Sequence, residues 1–152
     1  MTRWTTSGLW KGAVAGVCGS LAHTLLMYLK SRYGLLPEFQ PYESLQAALS
    51  RITGGQVHPI VPWVLSFLNG STILGFAFDR LSPRLPGRSG LAKGLAFGAA
   101  GWLAMGVVFF PLIGLGPFGL GIQPALFSLA MILAYSLVLG AVYGALNPPA
   151  PK

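Results

Sequence analysis

Charge is scarce in this sequence: only 9% of its 152 residues are Asp, Glu, Lys or Arg. A soluble domain carries roughly 25% charged residues, so an ordinary water-soluble fold is excluded. The few charges are also clustered, and they leave four long apolar windows that each approach or exceed the ~18 apolar residues typical of a membrane-spanning helix. A mean hydropathy of +0.65 agrees with this. The sequence therefore predicts an integral membrane protein.

Acidic residues and cysteine are rarer still. The three acids, Glu38, Glu43 and Asp79, are all predicted to lie in loops. No nucleophile–base pair and no metal-ligand cluster can be assembled from the spacing of the polar residues. Cys18 is the single cysteine, which excludes an internal disulfide and any cluster of several cysteine ligands. We therefore expect a protein that is not an enzyme and that has no cofactor and no metal.

Basic residues outnumber acidic ones by ten to three, which gives a net charge of +7. No polar domain is present to carry a nucleic-acid site, so we expect no nucleic acid among the partners. The surplus instead suits membrane orientation and anionic lipid headgroups. One side of the membrane would hold Arg3, Lys11, Arg80, Arg84, Arg88, Lys93 and Lys152, and the other Lys30, Arg32 and Arg51. The positive-inside rule then places both termini in the cytoplasm.

The apolar windows predict an all-α membrane protein with four transmembrane helices. These spans are expected at Leu9–Leu29, Val61–Phe78, Leu91–Phe110 and Ala125–Leu146. Between the first two, Pro41–Ile52 predicts a short interfacial helix, because Pro41 suits a first helical turn and Leu45, Ala48, Leu49 and Ile52 fall on one stripe. The uncharged, glycine-rich stretch Pro111–Pro124 predicts a turn at the membrane interface, and a re-entrant loop is the alternative.

An internal repeat organises the chain. The motif L-x-K-G-x-x-x-G-x-x-G-x-L-A begins at Leu9 and again at Leu91, and Ser71–Gly75 resembles Ser136–Gly140. We interpret this as a tandem duplication of a helical hairpin, with repeat A at about 9–78 and repeat B at about 91–146 of a single domain spanning 1–152. Repeats whose first helices point the same way are parallel.

Glycines recur at helical spacing in this repeat and predict a glycine zipper, since small residues let helices approach closely in lipid. The helix-packing residues are expected to be Gly12, Gly16, Gly19, Gly94, Gly98, Gly101, Gly140 and Gly144. Because spans 1 and 3 both carry three of these glycines, we expect the two spans to cross tightly near the cytoplasmic side, either within one chain or between two chains.

Polar residues within the spans are the remaining candidates for function. His23, Ser66, Asn69, Ser71, Thr72, Tyr135 and Ser136 are predicted near mid-depth and form a candidate polar pathway. For the hydroxyls, the favoured interpretation is hydrogen bonding between helices, or from Ser and Thr back to their own helix. For His23, it is a hydrogen bond to a neighbouring helix. A haem or metal ligand is the alternative for His23, since an intramembrane ionisable residue is a functional hypothesis by default.

The chain resembles small bacterial inner-membrane proteins that are grouped as a domain of unknown function. The resemblance covers most of the length. It depends on Lys11-Gly12, on Gly34-Leu35-Leu36-Pro37-Glu38 after Lys30, on Gly101-Trp102-Leu103, on Gly114–Gly119 and on Leu139–Gly144. It implies a location and a topology, and no activity.

Three functions remain open at this point. The first is a non-catalytic accessory or assembly subunit of a larger inner-membrane complex, with other membrane subunits or a homo-oligomer as partners. The second is a small oligomeric transporter or channel that uses the residues around Asn69. The third is a haem- or metal-binding membrane protein that uses His23.

Overall fold

Four long helices make up most of the chain in the computed structural model, which describes residues 6–148 and the side chains of 9–148. The four that are long and apolar enough to cross a membrane are Leu9–Tyr33 (span 1), Ile60–Leu81 (span 2), Gly90–Leu112 (span 3) and Ile122–Leu146 (span 4). No strand occurs within 6–148. The prediction of an all-α fold with four membrane-spanning helices is confirmed.

The short helix between spans 1 and 2 extends over Pro41–Thr53, as predicted to within one residue. Pro41 opens its first turn, and Gly54 ends it in the left-handed conformation with φ 69°. The apolar stripe of this helix packs mainly against protein. Leu45 and Ala48 belong to a cluster at one end of the bundle, whereas Ile52 is 81% exposed. The surface helix therefore covers the helix ends and does not simply lie on lipid.

The two ends of the bundle differ in what closes them. At the end that holds the start of span 1 and the end of span 4 (the terminal side), Lys11 Nζ donates to Asn147 Oδ1 at 2.9 Å. Phe78 is fully buried there, with its ring 5.2 Å from that of Phe97 and 5.3 Å from that of Tyr143. Span 2 thereby reaches spans 3 and 4, and the rings fill the centre of the bundle.

At the opposite end (the far side), a second apolar cluster lies beneath the surface helix. It contains Phe39, Ala48, Phe110 and Ile113. The ring of Phe39 lies 5.5 Å from that of Phe110 in an edge-to-face arrangement. The loop after span 1 and the end of span 3 are joined by this contact.

Span 1 packs against both span 2 and span 4, and span 3 packs against span 4. The predicted tight crossing of spans 1 and 3 is therefore wrong within one chain. A Cβ on Gly12 would lie 2.7 Å from the carbonyl oxygen of Gly75, and one on Gly94 would meet the carbonyl oxygen of Ser136. Most of these glycines serve contact within their own hairpin, because consecutive antiparallel helices are already neighbours. Gly19 is the exception, since it faces Tyr135 of span 4.

Spans 2 and 3 each contain a π-helical segment, Asn69–Leu74 and Met105–Phe109. These segments interrupt the regular i→i−4 bonding, and π-bulges occur frequently at functional sites. The sequence analysis did not predict them.

The glycine-rich Pro111–Pro124 connects spans 3 and 4. Span 3 continues to Leu112, a single 3₁₀ turn covers Pro117–Gly119, and span 4 begins at Ile122. Phe118 has a positive φ of 52°, and its ring lies 4.8 Å from that of Trp102. The turn thus folds back onto the side of span 3.

Candidate functional site

The π-helical segment of span 2 is the centre of the polar region. Ser71 donates to the carbonyl oxygen of Phe67 at 2.8 Å, and Thr72 donates to that of Leu68 at 2.6 Å. A carbonyl group that loses its helical partner must find another donor, since hydrocarbon offers none. The two hydroxyls supply such donors from within the same helix.

Two other spans send hydroxyls to the same segment. Tyr135 of span 4 donates to the carbonyl oxygen of Gly70 at 2.6 Å, and Ser20 of span 1 donates to that of Phe67 at 3.3 Å. Tyr135 and Ser20 are both buried. Spans 1, 2 and 4 are therefore joined at one level through the backbone of span 2.

Ser136 and Ser66 lie apart from this group. Ser136 is buried, donates to the carbonyl oxygen of Leu133 at 3.2 Å and faces Gly98. Ser66 accepts a hydrogen bond from Tyr42 of the surface helix at 3.0 Å. Burial raises the pKa of the Tyr42 phenol, and the bond to Ser66 acts in the opposite direction. The residues of the candidate pathway thus separate into groups with different neighbours.

His23 is half-buried in span 1, and its imidazole has no hydrogen-bond partner among residues 9–148. The favoured interpretation, a histidine bonded to a neighbouring helix, is therefore wrong. Within the described residues, no three His, Cys, Asp or Glu side chains come close enough together to hold a metal ion.

Asn69 faces outward at the middle of the membrane-spanning part. It is exposed, and it is the tenth of the 22 residues of span 2. Its backbone N–H bonds to the carbonyl oxygens of Leu65 and Ser66, but its side-chain amide has no partner within the described residues. An unpaired amide in hydrocarbon is costly, so a polar neighbour would be favourable at this position.

Apolar side chains surround Asn69 on the same face of span 2. Leu65 is 43% exposed, Leu68 50% and Ile73 64%. Leu65 and Ile73 stand four residues before and after Asn69, and thus one turn away in each direction. The outward face of span 2 is therefore an apolar strip with one amide at its centre.

Lys30 is a residue that the sequence analysis counted only as a charge. It is 2% exposed at the far end of span 1. Its ammonium donates to the carbonyl oxygen of Leu36 at 3.3 Å and to Gln40 Oε1 at 3.2 Å. It also lies 6.0 Å from the centre of the Phe127 ring. Lys30 holds the loop after span 1 over the bundle, and no sequence pattern signalled its burial.

Asp79 was predicted in a loop, and that prediction is wrong. It lies in the last turns of span 2, half-buried, and accepts a hydrogen bond from Tyr143 at 2.5 Å. The helix continues to Leu81 because Arg80 and Leu81 are both compatible with a helix, and Ser82-Pro83 ends it. The sequence could have indicated this position only if the helix was extended across the charged pair Asp79-Arg80.

The predicted packing glycines divide into covered and open positions. A Cβ on Gly16 would lie 2.6 Å from the carbonyl oxygen of Ser71, and one on Gly19 would lie 2.8 Å from the Tyr135 ring. Gly140 and Gly144 both face Gly90. Gly101, by contrast, is exposed and would have nothing within 4 Å of an added Cβ. Seven of the eight glycines thus lie against another helix, and Gly101 does not.

A surface cavity of about 420 Å³ lies on the far side, between the surface helix and the start of span 2. It is lined by Gln46, Ser50, Gln56, Val57, His58 and Pro59. His58 Nδ1 accepts a hydrogen bond from the backbone N–H of Ile60 at 3.2 Å. This cavity belongs to the polar connection and does not extend between the spans.

Comparison with known proteins returns one finding. No curated protein and no solved structure matches the chain. A family model described as a family of unknown function (DUF6789) matches residues 6–152, which include all four spans and the surface helix. The chain therefore belongs to this family of unknown function, DUF6789.

Proposed function

We propose that the protein is a non-catalytic integral membrane subunit that completes its surface with another membrane protein. The single observation that carries the proposal is Asn69, whose exposed amide lies at mid-depth with no partner in the described chain. A contact with a second polypeptide satisfies this amide without exposing it to hydrocarbon.

The rest of the polar region supports the same interpretation. Ser71, Thr72 and Tyr135 all donate to backbone carbonyls of span 2, so their hydroxyls serve the structure of the chain itself. Asn69 lies beside them and is not used in this way. Its side chain is therefore available to a partner.

We also propose a bacterial inner membrane with both termini in the cytoplasm. The start of span 1 and the end of span 4 lie on one side of the bundle, where Lys11 meets Asn147. The connector between spans 2 and 3 lies on that side too and carries Arg84 and Arg88. The excess of basic residues there suits the positive-inside rule and attraction to anionic headgroups. Reporter fusions after Lys152 should be active in the cytoplasm, and activity only in the periplasm would contradict this orientation.

We further propose that the two hairpins arose by tandem duplication of one hairpin. Gly12 faces Gly75 in the first hairpin, and Gly94 faces Gly140 in the second. Each glycine of the second pair is the aligned counterpart of one in the first. Matching contacts at matching positions support an origin by duplication of one hairpin.

The subunit proposal is tested on protein extracted from its native membrane in mild detergent, without crosslinker. We expect particles whose protein mass, from light scattering, exceeds one 16.0 kDa chain. Asn69→Leu should shift part of this material to a single chain, whereas Gln123→Leu, which removes an exposed amide at the start of span 4, should not. Recovery of the wild-type chain only as a monomer would contradict the proposal.

A small oligomeric transporter is the second candidate, and the π-helical segments favour it. Such segments are frequent at functional sites, and Asn69 begins the one in span 2. In this case Asn69 lines a pathway between copies. Liposomes containing the protein should then pass an ion or small solute, and Asn69→Leu should slow that flux; equal flux through protein-free liposomes would remove this candidate.

A further inference from the structure

The apolar strip of span 2 with Asn69 at its centre has the chemistry of a self-complementary surface. An amide group carries both donors and an acceptor, so a second amide is a matching partner for it. Asn69 is the only side-chain amide in the middle of a span; Gln123 and Asn147 lie at the ends of span 4.

Membrane topology restricts how two copies can meet. Copies inserted by the same charge rule share one orientation, so they are related by an axis along the membrane normal. Around a two-fold axis of this kind, each residue lies at the same depth as its own counterpart. When the axis runs along the outward face of span 2, the amide of one Asn69 meets the amide of the other, and no second mid-depth amide is needed.

The neighbours of Asn69 suit such a contact. Leu65 and Ile73 flank it along the helix and are 43% and 64% exposed. Thr72 adds no competing polar group, because its hydroxyl is bonded to the carbonyl oxygen of Leu68 at 2.6 Å. An apolar seam with a single asparagine is an arrangement that fixes both register and the number of copies in helical assemblies.

From these observations we propose that span 2 forms a parallel two-fold contact with span 2 of a second copy of this chain, with the two Asn69 amides hydrogen-bonded to each other. The inference rests on the proposed function and names the partner at the same site. The proposed contact distinguishes span 2 from span 3. Leu103 on the outward face of span 3 is 52% exposed, and that face has no amide.

Cysteine cross-linking in native membranes tests the geometry. In a Cys18→Ala background, Leu65→Cys and Ile73→Cys should each form disulfide-linked dimers on mild oxidation. Leu103→Cys, at a similar depth on span 3, should stay monomeric. Cross-linking at Leu103→Cys and at neither span 2 position would overturn the proposed contact.

The role of the amide is tested by energy transfer between donor- and acceptor-labelled copies in liposomes of decreasing protein-to-lipid ratio. Asn69→Leu should weaken the dimer about tenfold, in line with interhelical hydrogen bonds of this kind. Asn69→Gln should retain most of the affinity, and Gln123→Leu should leave it unchanged. Equal affinities for wild type and Asn69→Leu would overturn the role of the amide even if the variant folds normally.

The outcomes also separate this inference from the proposed function. A purified particle that contains a different membrane protein in fixed ratio, with no cross-link between copies at Leu65→Cys or Ile73→Cys, supports the subunit proposal and rejects the homodimer. A monomer in every experiment rejects both.

Discussion

Gly19 in span 1 and Gly101 in span 3 occupy the same place in the repeated motif, and their surroundings differ. A Cβ on Gly19 would lie 2.8 Å from the ring of Tyr135, whereas one on Gly101 would meet nothing within 4 Å. Span 1 lies between spans 2 and 4, whereas span 3 has span 4 as its principal neighbour. The two hairpins therefore share a local motif and differ in how many helices surround it. A glycine motif allows a helix in lipid to make a close contact, and the other helices of the bundle determine whether the contact forms.

The largest expected effect comes from a branched residue at a covered glycine. Gly16→Val would place its Cβ 2.6 Å from the carbonyl oxygen of Ser71, which is backbone and cannot move aside cheaply. We expect a loss of about 3 kcal/mol in the free energy of unfolding. The measurement is an SDS titration in mixed detergent, followed by tryptophan fluorescence. Gly101→Val is the matched control and should change the value by less than about 0.5 kcal/mol; equal losses would show that the two hairpins are packed alike.

The second-largest loss of stability is expected at Tyr143, which aligns with Phe78 in the internal repeat. Tyr143→Phe makes the two positions identical but removes the hydrogen bond to Asp79. We expect a loss of about 1.5 kcal/mol, since the acceptor is a carboxylate. The same titration measures it, and Tyr33→Phe, at a position 73% exposed with no side-chain hydrogen bond among the described residues, is the control. An unchanged free energy would mean that the bond to Asp79 adds no stability.

Tyr135→Phe sharpens the comparison at mid-depth, where the aligned residue of span 2 is Gly70. The change removes the bond to the carbonyl oxygen of Gly70, which joins span 4 to the π-helical segment. A loss of about 1 kcal/mol is expected, as for other interhelical hydrogen bonds in membranes. Tyr28→Phe, 56% exposed on span 1, should have no effect. A loss at both positions would point to a general effect of the hydroxyl group on detergent binding.

Ser20→Ala should have the smallest effect, about 0.5 kcal/mol. The bond from Ser20 to the carbonyl oxygen of Phe67 is 3.3 Å long, and Ser71 donates to the same oxygen at 2.8 Å. The acceptor thus keeps one donor when Ser20 is replaced. Ser31→Ala, an exposed serine, provides the baseline in the same titration. A loss larger than that of Tyr135→Phe would contradict this order.

The positions of the helices could be predicted because lipid imposes a length and forbids unpaired backbone groups. Spans 1 to 4 and the surface helix begin and end within four residues of the predicted limits, and Pro41 and Gly54 mark the ends of the surface helix as their backbone preferences suggest. Asp79 was predicted in a loop and lies in the helix. A charge at the end of an apolar window suggests a loop, and its partner Tyr143 is known only from the structure.

The candidate site could be predicted only as a list of residue types. Asn69, Thr72 and Tyr135 appeared together as polar residues near mid-depth, but Tyr135 is buried and Asn69 and Thr72 are exposed. Each of them lies in a largely apolar stretch of the sequence. In a soluble helix the apolar stripe would mark the inner face, whereas in lipid both faces are apolar.

What the sequence determined by itself is the number of spans, their limits and the positions of the small residues, because these follow from the thickness of hydrocarbon and from the lack of a side chain on glycine. Only the tertiary structure decided that Lys30 is buried under its loop, that span 1 contacts span 4, and that the amide of Asn69 faces outward. The reason is physical: lipid tails are as apolar as the side chains, so the choice of neighbours depends on close packing and on hydrogen bonds between distant parts of the chain.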